Sequence, residues 1–433
     1  MPMTERTQHP RAWLFVGIFT FCYLVSSLDR YVVNLTIQPI AESLHLDDVQ
    51  ISMLVGLAFT LFYSTAGLLL GALVDRYDRR VIVVCGIVIW TMATAFTGLA
   101  WSYASLLMAR ILVGTGEAAL SPSAYSIIAE TFPPAKLSRP TSIYFLGGAI
   151  GPGISLVLGG LMLGVAEHLN QAQALGWLDN EPWRFVLLLA AAPGALAALA
   201  VFLFVTDPRR SRPAPERARP ATSLVGELRT KPALYAALLI GVSAVSVQIN
   251  GLAVWWPTHA LRSFGWPLTQ SGVWFGGALA GGALIGIALG GALGTAMSRR
   301  LGERGVSLAM ALLSAGALIP MAGATLIPDP MMQFGAVALS LALAFAVNCL
   351  APTAFQLAAS PDVRGRIAAL YVSVGTVVGA GVGPVLVAFI GQMRIGGAPA
   401  GLGVGLASVG FGSGLCMILA FAWASRSGTR RNE

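Results

Sequence analysis

Twelve separate apolar stretches punctuate this chain, each of roughly 20 to 27 residues and so long enough to cross a hydrocarbon core of about 30 Å as a helix. They run from Ala12 to Ile37, Ile51 to Val74, Val81 to Ala100, Ala104 to Ile128, Thr141 to Gly164 and Trp183 to Val205. The second half adds Ala233 to Trp256, Gly272 to Met297, Val306 to Leu326, Met331 to Ala358, Ile367 to Ile390 and Gly401 to Ala424. With 56% hydrophobic and 11% charged residues, no ordinary soluble domain fits the composition. The first stretch is too long for a signal-peptide core and has no cleavage site, so it reads as a retained span.

The formal charge of +8 would suit a nucleic-acid partner, but its distribution points elsewhere. When connections are numbered alternately from a cytoplasmic N-terminus, the basic residues outside the spans fall in inner segments, except for Arg184, Arg262 and Arg394. The positive-inside rule then places both termini in the cytoplasm and requires an even number of spans. Cys22, Cys85, Cys349 and Cys416 all lie within apolar stretches and read as small hydrophobes.

Between residues 207 and 231 the chain turns rich in proline and arginine, which reads as a solvated linker. It divides the spans into an N-terminal six-helix bundle, 1–206, and a C-terminal one, 232–433. The halves echo each other. Gly147, Gly151 and Pro152 in the fifth span form G-x-x-x-G-P, and Gly379, Gly383 and Pro384 repeat it in the eleventh. Each copy is preceded by an arginine with a tyrosine five residues on, Arg139 with Tyr144 and Arg366 with Tyr371.

After the second span comes Gly71-Ala-Leu-Val-Asp75-Arg76-Tyr-Asp78-Arg79-Arg80. Physically, Gly71 would permit close helix approach, Asp75 would oppose the positive end of a helix, and the arginines would bridge to acids or helix C-termini, with Glu130 as the named partner. Together these six residues, Gly71, Asp75, Arg76, Arg79, Arg80 and Glu130, form the expected conformational gate. The alternative is that Arg79 and Arg80 only set topology. This segment resembles the signature of the major facilitator superfamily, G-x-x-x-D-R-x-G-R-R, departing from it at Asp78. The second half keeps a decayed copy from Gly294 to Arg300, with Ser298 for the aspartate.

The fourth span and the residues just beyond it run Arg110-Ile-Leu-Val-Gly114-Thr-Gly116-Glu117-Ala118, then Pro122-Ser-Ala, then Phe132-Pro133. This resembles the bacterial relatives of the Spinster family, as do the Asp29-Arg30 pair, Trp183-Arg184 and Trp255-Trp256-Pro257. The anion:cation symporter branch shares several of these features and is the rival. The resemblance implies an all-α membrane protein of twelve spans in two bundles, lodged in the bacterial inner membrane. It also implies a secondary transporter, monomeric, driven by a proton gradient and using no cofactor.

Charges at membrane depth are costly and mark function. Arg110, Gly114, Glu117, Ser121 and Tyr125 recur at steps of three and four on the fourth span, and Ser26, Arg30, Asn34 and Gln38 do so on the first. Asp29 lies one residue to the side. Cross pairs of Asp29 with Arg110 and of Arg30 with Glu117 fit this geometry. Asp29 and Glu117 are the expected proton carriers; Arg30, Arg110, Asn34, Ser121 and Tyr125 the expected substrate contacts. A static cluster that only fixes helix packing is the competing reading. The second half offers neutral candidates, Gln248, Asn250, Trp255, Asn348 and Gln356, and His259 reads as a solvated residue near a helix end.

One charged wall and one largely apolar wall suit an amphiphilic substrate with an anionic or zwitterionic head, such as a lysolipid or sphingoid lipid. A symporter of small carboxylates or sugar acids is the alternative, and a membrane sensor on the same fold a further one. No H-E-x-x-H, G-x-S-x-G or Walker A pattern occurs, so neither an enzyme, a metal site nor an ATP-driven cycle is expected.

Overall fold

In a bilayer each span must satisfy its own backbone hydrogen bonds, and these apolar stretches do so as helices. The computed structural model describes residues 11–133, 136–174, 176–178, 181–208, 223–360, 363–395 and 401–427; the side chains of Leu68, Ala72, Asp75, Arg76, Ser138, Trp177, Glu303, Arg394 and Ile395 are outside this description. Among the described residues twelve helices are long and apolar enough to cross a membrane. They are Ala12–Leu44, Asp48–Gly71, Arg79–Gly98, Tyr103–Thr131, Arg139–Gln171, Pro182–Phe204, Pro232–Phe264, Leu268–Leu301, Arg304–Leu326, Pro330–Ala358, Arg364–Met393 and Gly401–Ser427. Several outrun their apolar cores because polar ends prolong the helix; the first carries on through Gln38 and Glu42.

Among the described residues four spans depart from regular α-helix; the ninth does so only at its end, in the 3₁₀ turn Ala324–Leu326. The fourth breaks after Glu117, where the Ala119 N–H reaches the Gly116 carbonyl three residues back, and resumes at Leu120. The second and eleventh contain π-helical turns, Met53–Ala58 and Val377–Val382. Such turns recur at functional positions in helices.

The chain divides into two compact units. One holds Met1–Glu216 with Leu268–Gly276, the other Arg217–Pro267 with Gly277–Glu433. The start of the eighth span thus packs with the first half, a feature that hydropathy does not reveal. Its cause is small-residue packing: a Cβ at Gly276 would fall 2.5 Å from the Gly153 carbonyl oxygen, and one at Gly272 2.8 Å from that of Leu156.

Within a membrane, helix association depends on close packing because lipid is as apolar as the helices. The repeated glycine motif supplies that packing in each unit. In the first, a Cβ at Gly151 would meet the Ser27 hydroxyl at 2.5 Å and one at Gly147 would meet Thr20, so the fifth span lies flat on the first. In the second, Gly379 abuts Ser246, and a Cβ at Gly383 would fall 2.8 Å from the Val247 carbonyl, so the eleventh lies on the seventh. Around these seams the first unit buries Phe15, Phe19, Ile87, Trp90 and Ile127 in one cluster. The second buries Leu238, Val242, Met310, Leu350, Phe355 and Phe421.

Of the linker expected at 207–231, residues 209–222 lie outside the described residues. Its two ends depart from the solvated reading. Asp207 is buried in the first unit, and Leu224–Thr230 forms a short helix, capped by the Ser223 hydroxyl, that buries Glu227 in the second.

Candidate functional site

The first and fourth spans bring four ionisable groups together in the first unit. Arg30 Nη2 lies 2.5 Å from Glu117 Oε2, and the Ser26 hydroxyl donates to the same oxygen at 2.8 Å. The Glu117 side chain is wholly buried, whereas that of Arg30 remains 27% exposed, so the arginine is the opening of the pair. Its guanidinium sits over the rings of Phe59, at 4.6 Å, and Tyr63, at 5.4 Å, both on the second span. A pair half covered by aromatic faces is poorly screened by solvent and depends strongly on the charge of each partner.

The other expected pair does not close. Asp29 and Arg110 are electrostatic neighbours but form no ion pair. Asp29 is 1% exposed, and neither carboxylate oxygen has a hydrogen bond. Trp90 and Thr94 of the third span face it, and the indole N–H and the hydroxyl are equally without a bond. That span is drawn in by Gly116, where a Cβ would fall 2.8 Å from the Trp90 nitrogen. Arg110 is 2% exposed, with Nε and Nη2 unbonded, beside a cavity of about 20 Å³ that it shares with Thr97, Val33, Ile37 and Leu106. A space of that size takes one water and is too small for cargo. Asn34, on the first span, is buried.

Ser121 and Tyr125 belong to a different neighbourhood. Ser121 Oγ lies 3.0 Å from the Tyr144 hydroxyl, and the Tyr144 ring packs edge-on against Tyr125 at 5.0 Å and beside Tyr23 at 5.1 Å. The break after Glu117 turns the lower part of the fourth span toward the fifth, which explains why one helical stripe serves two sets of partners.

The basic connection after the second span forms a second cluster. Asp78 caps the third span by accepting from the Arg80 N–H with φ at −62°, so the position needs no glycine and the departure from the signature is accounted for. Arg79 is fully buried. Its Nη2 bridges Glu130 at 2.8 Å and Asp207 at 3.0 Å, and its Nη1 donates to Ser126 at 2.9 Å. Arg80 donates to the Phe202 carbonyl at the end of the sixth span and covers that ring. Both arginines therefore do more than set topology. Gly71 differs from expectation: a Cβ there meets nothing within 4 Å, so it mediates no close approach, while its counterpart Gly294 is pressed against Leu350. The side chains of Asp75 and Arg76 lie outside the described ones.

The second-half candidates do not converge on one point. Trp255 is fully buried and donates to the Pro384 carbonyl at 3.0 Å, which makes it an internal brace between the seventh and eleventh spans rather than a substrate contact. Gln248 is buried and accepts from Ser413 at 3.3 Å. Asn250 donates back to the Ser246 carbonyl of its own helix. Asn348 and Gln356 are exposed on the tenth span, eight residues apart. His259 is not solvated: it is 3% exposed, 3.1 Å from Ser263 and against Gly403.

Glu227 accepts from Tyr235 at 2.9 Å and from the Ser360 N–H and hydroxyl at 3.1 and 2.9 Å. Burial pushes its carboxyl up, but these bonds and nearby Lys231 outweigh that and hold it below the ordinary carboxylate range. Sequence reasoning passed over Glu227, Asp207, Trp90, Thr94, Tyr23, Tyr63 and Phe59. Tyr23 had a usable signal, since it extends the Ser26, Arg30 stripe by one step of three; Trp90 and Thr94 stand four apart on an otherwise apolar helix.

Twelve membrane helices in two packed units, with an ion pair held at membrane depth and no soluble domain among the described residues, define a membrane transporter. The Major Facilitator Superfamily profile matches residues 19–384, and the chain belongs to that family. An MFS-type efflux pump of Mycolicibacterium smegmatis is 27% identical over 88% of this chain and 84% of its own length. A sphingosine-1-phosphate transporter of Danio rerio is 26% identical over 57% of this chain; that alignment spans 47% of the relative, so only about half of its length is matched. A crystal structure of a bacterial homologue of the human lysosomal transporter Spinster, described as inward-facing and occupied, superimposes with a TM-score of 0.83 at 25% identity over 98% of both chains.

Proposed function

We propose that the chain is a proton-coupled secondary transporter that moves an amphiphile with an anionic or zwitterionic head by alternating access. The observation that carries this reading is the buried Arg30–Glu117 pair standing beside an Asp29 carboxyl that has no hydrogen bond. Two acids in such different settings divide the work: Glu117 fixes the charge of Arg30, and Asp29 exchanges a proton. Neutralising Glu117 frees Arg30 for an anionic headgroup, and neutralising Asp29 removes a negative charge beside Arg110, so proton binding and cargo binding compete for the same arginines. Trp90 and Thr94 stand beside the Asp29 carboxyl.

In this reading both termini face the cytoplasm across a bacterial inner membrane, and protons enter from the outside. The membrane potential adds about 2.3 kcal/mol per charge per 100 mV. The second unit, with neutral Gln248, Asn348 and Gln356, suits an apolar tail better than a multiply charged sugar acid. The likeness to an efflux pump favours export of that amphiphile.

The test is uptake into proteoliposomes, with lysolipids, sphingoid bases, fatty acids and small carboxylates offered under an imposed pH gradient. Lysolipid flux that responds to the gradient, and loses that response in Asp29→Asn and in Glu117→Gln, is the expected result. Gradient-driven flux unchanged in both variants refutes the assignment of carriers; flux of small carboxylates alone refutes the assignment of cargo.

A further inference from the structure

A cavity of about 600 Å³ opens among the seventh, eleventh and twelfth spans, lined wholly by residues of the second unit and by none of the charged cluster. Its walls are apolar save for the small polar groups of Ser243, Ser408, Ser413 and Cys416. Along the eleventh span it touches Val374, Val378 and Ile390, a run of about 24 Å at 1.5 Å per residue. It is therefore a slot parallel to the helices rather than a round pocket.

Packing at both ends keeps the slot open. On one side of the membrane Gly405 abuts the Val387 carbonyl, and a Cβ at Gly391 would fall 2.9 Å from that of Gly401, which draws the eleventh and twelfth spans together. Toward the other side a Cβ at Gly241 would meet the Phe421 ring at 2.5 Å, which draws the seventh and twelfth together. Between these seams the helices part, helped by the π-helical turn Val377–Val382, and a Cβ at Gly412 meets nothing within 4 Å. The slot reaches the flank of the unit through Ile240 and Leu386, 53% and 38% exposed.

Water gains little in a space with so few polar partners, and no charged group lies in the lining to hold a headgroup. The seventh span begins and the twelfth ends on the same face of the membrane, and exposed Arg229 and Arg426 stand at that end, Arg426 about 15 Å beyond Cys416. Basic groups at the interface above an apolar cleft match a phosphate-bearing lipid. We propose that the slot is a binding site for one acyl chain of an anionic membrane phospholipid, held as a resident lipid by the second unit. The site is separate from the charged cluster and holds whether or not that cluster couples to protons.

The test uses the full chain reconstituted with phosphatidylglycerol carrying a photoactivatable diazirine on one acyl chain, with crosslinked peptides mapped by mass spectrometry. Label is expected to concentrate in residues 374–390 and 408–416 and to fall when unlabelled phosphatidylglycerol, but not phosphatidylcholine, is added in excess. Gly412→Leu projects a side chain into open space and should cut that label about tenfold, since it removes a few methylenes' worth of burial. Label on exposed Leu199 and Leu203 of the sixth span should not change. Val378→Trp fills the slot from the opposite wall if Gly412→Leu does not fold, as judged by size exclusion and melting. Label that is undiminished by both variants, or spread evenly over exposed residues, means boundary-lipid contact only and overturns the proposal. Equal competition by phosphatidylcholine, or displacement by a lysolipid instead, overturns the assignment to an anionic phospholipid.

Discussion

In the first unit the fifth span presents Tyr144 to Ser121 and Tyr125 of the fourth; in the second, the eleventh span lays Tyr371 on Phe355 of the tenth with ring centroids 4.6 Å apart. The two tyrosines occupy matching places, each five residues after an arginine and just before the glycine motif that seats its span on the first or the seventh. One scaffold thus seats a tyrosine against a serine hydroxyl and a ring in one half and against a phenylalanine ring in the other. Charge separates the halves: Asp29, Arg30, Arg110 and Glu117 have no charged counterparts among the described membrane-depth residues of the second unit, whose buried polar residues include Gln248, Thr258, His259 and Ser340. The repeated glycine motif gives both halves one frame, and the placement of charge distinguishes them.

The ends of the linker repeat the comparison with a twist. Asp207 and Glu227 are both buried acids that dock a linker end on their own unit, but Asp207 meets an arginine and Glu227 meets hydroxyls and an amide. Removing the arginine should therefore be the costlier change. Arg79→Ala takes a buried guanidinium from both Glu130 and Asp207, leaving Asp207 the residue-79 backbone N–H, and is expected to destabilise the protein by about 3 kcal/mol, read as a drop in melting midpoint in detergent. A loss under about 1 kcal/mol would place Arg79 with ordinary exposed pairs.

The next effect concerns recognition. Arg110→Ala should leave folding intact yet weaken binding of an anionic amphiphile by about 1.5–3 kcal/mol, roughly ten- to 150-fold, while a neutral amphiphile of equal length binds as before. Equal losses for both ligands would make Arg110 a packing element, as its confined position beside a 20 Å³ cavity allows in this conformation.

The shared scaffold predicts matched costs. Gly151→Leu and Gly379→Leu each press a side chain into the facing helix, against Ser27 and Ser246, and should destabilise by about 1–3 kcal/mol each. A large cost in one half and none in the other would break the equivalence between them. Smaller still is Gln248→Leu, which removes a single hydrogen-bond acceptor from Ser413 and should change cargo affinity by about 1 kcal/mol at most, without altering the response to a pH gradient.

The last and weakest effect is pH-dependent. Because the Glu227 carboxyl is held below its ordinary range, its contribution to stability is present above the unfolded value, about 4.3, and is lost as pH falls through the lower folded value. The melting difference between wild type and Glu227→Gln, below about 1 kcal/mol, should be largest near neutrality and vanish in strong acid. A difference that grew on acidification would mean that the folded carboxyl is raised instead.

Much of this was legible in the chain. Span number and helical character followed from hydropathy, and the Arg30–Glu117 contact from two stripes at steps of three and four. What escaped had physical causes. Asp29 and Arg110 stay apart because the third span inserts Trp90 and Thr94 beside the carboxyl, and a helix that is apolar by composition gives no hint of which partners it will face. Trp255 was a candidate substrate contact, yet Gly251 and Gly383 let the seventh and eleventh spans approach closely enough to bury it. Gly71 carries a motif position without the close contact that the motif suggests. Asp207 and Glu227 sat in a segment read as solvent-borne, since proline and arginine content speaks for the middle of a linker and not for its ends.

Whether the acids of the first and fourth spans carry the proton can be read from lumenal pH, recorded with an entrapped dye in proteoliposomes when an amphiphile gradient, and no pH gradient, is imposed. Wild-type protein should move protons as the amphiphile flows, and Asp29→Asn combined with Glu117→Gln should move none, although the amphiphile still binds. Proton movement of equal size in the double variant would mean that the carriers lie elsewhere in the chain.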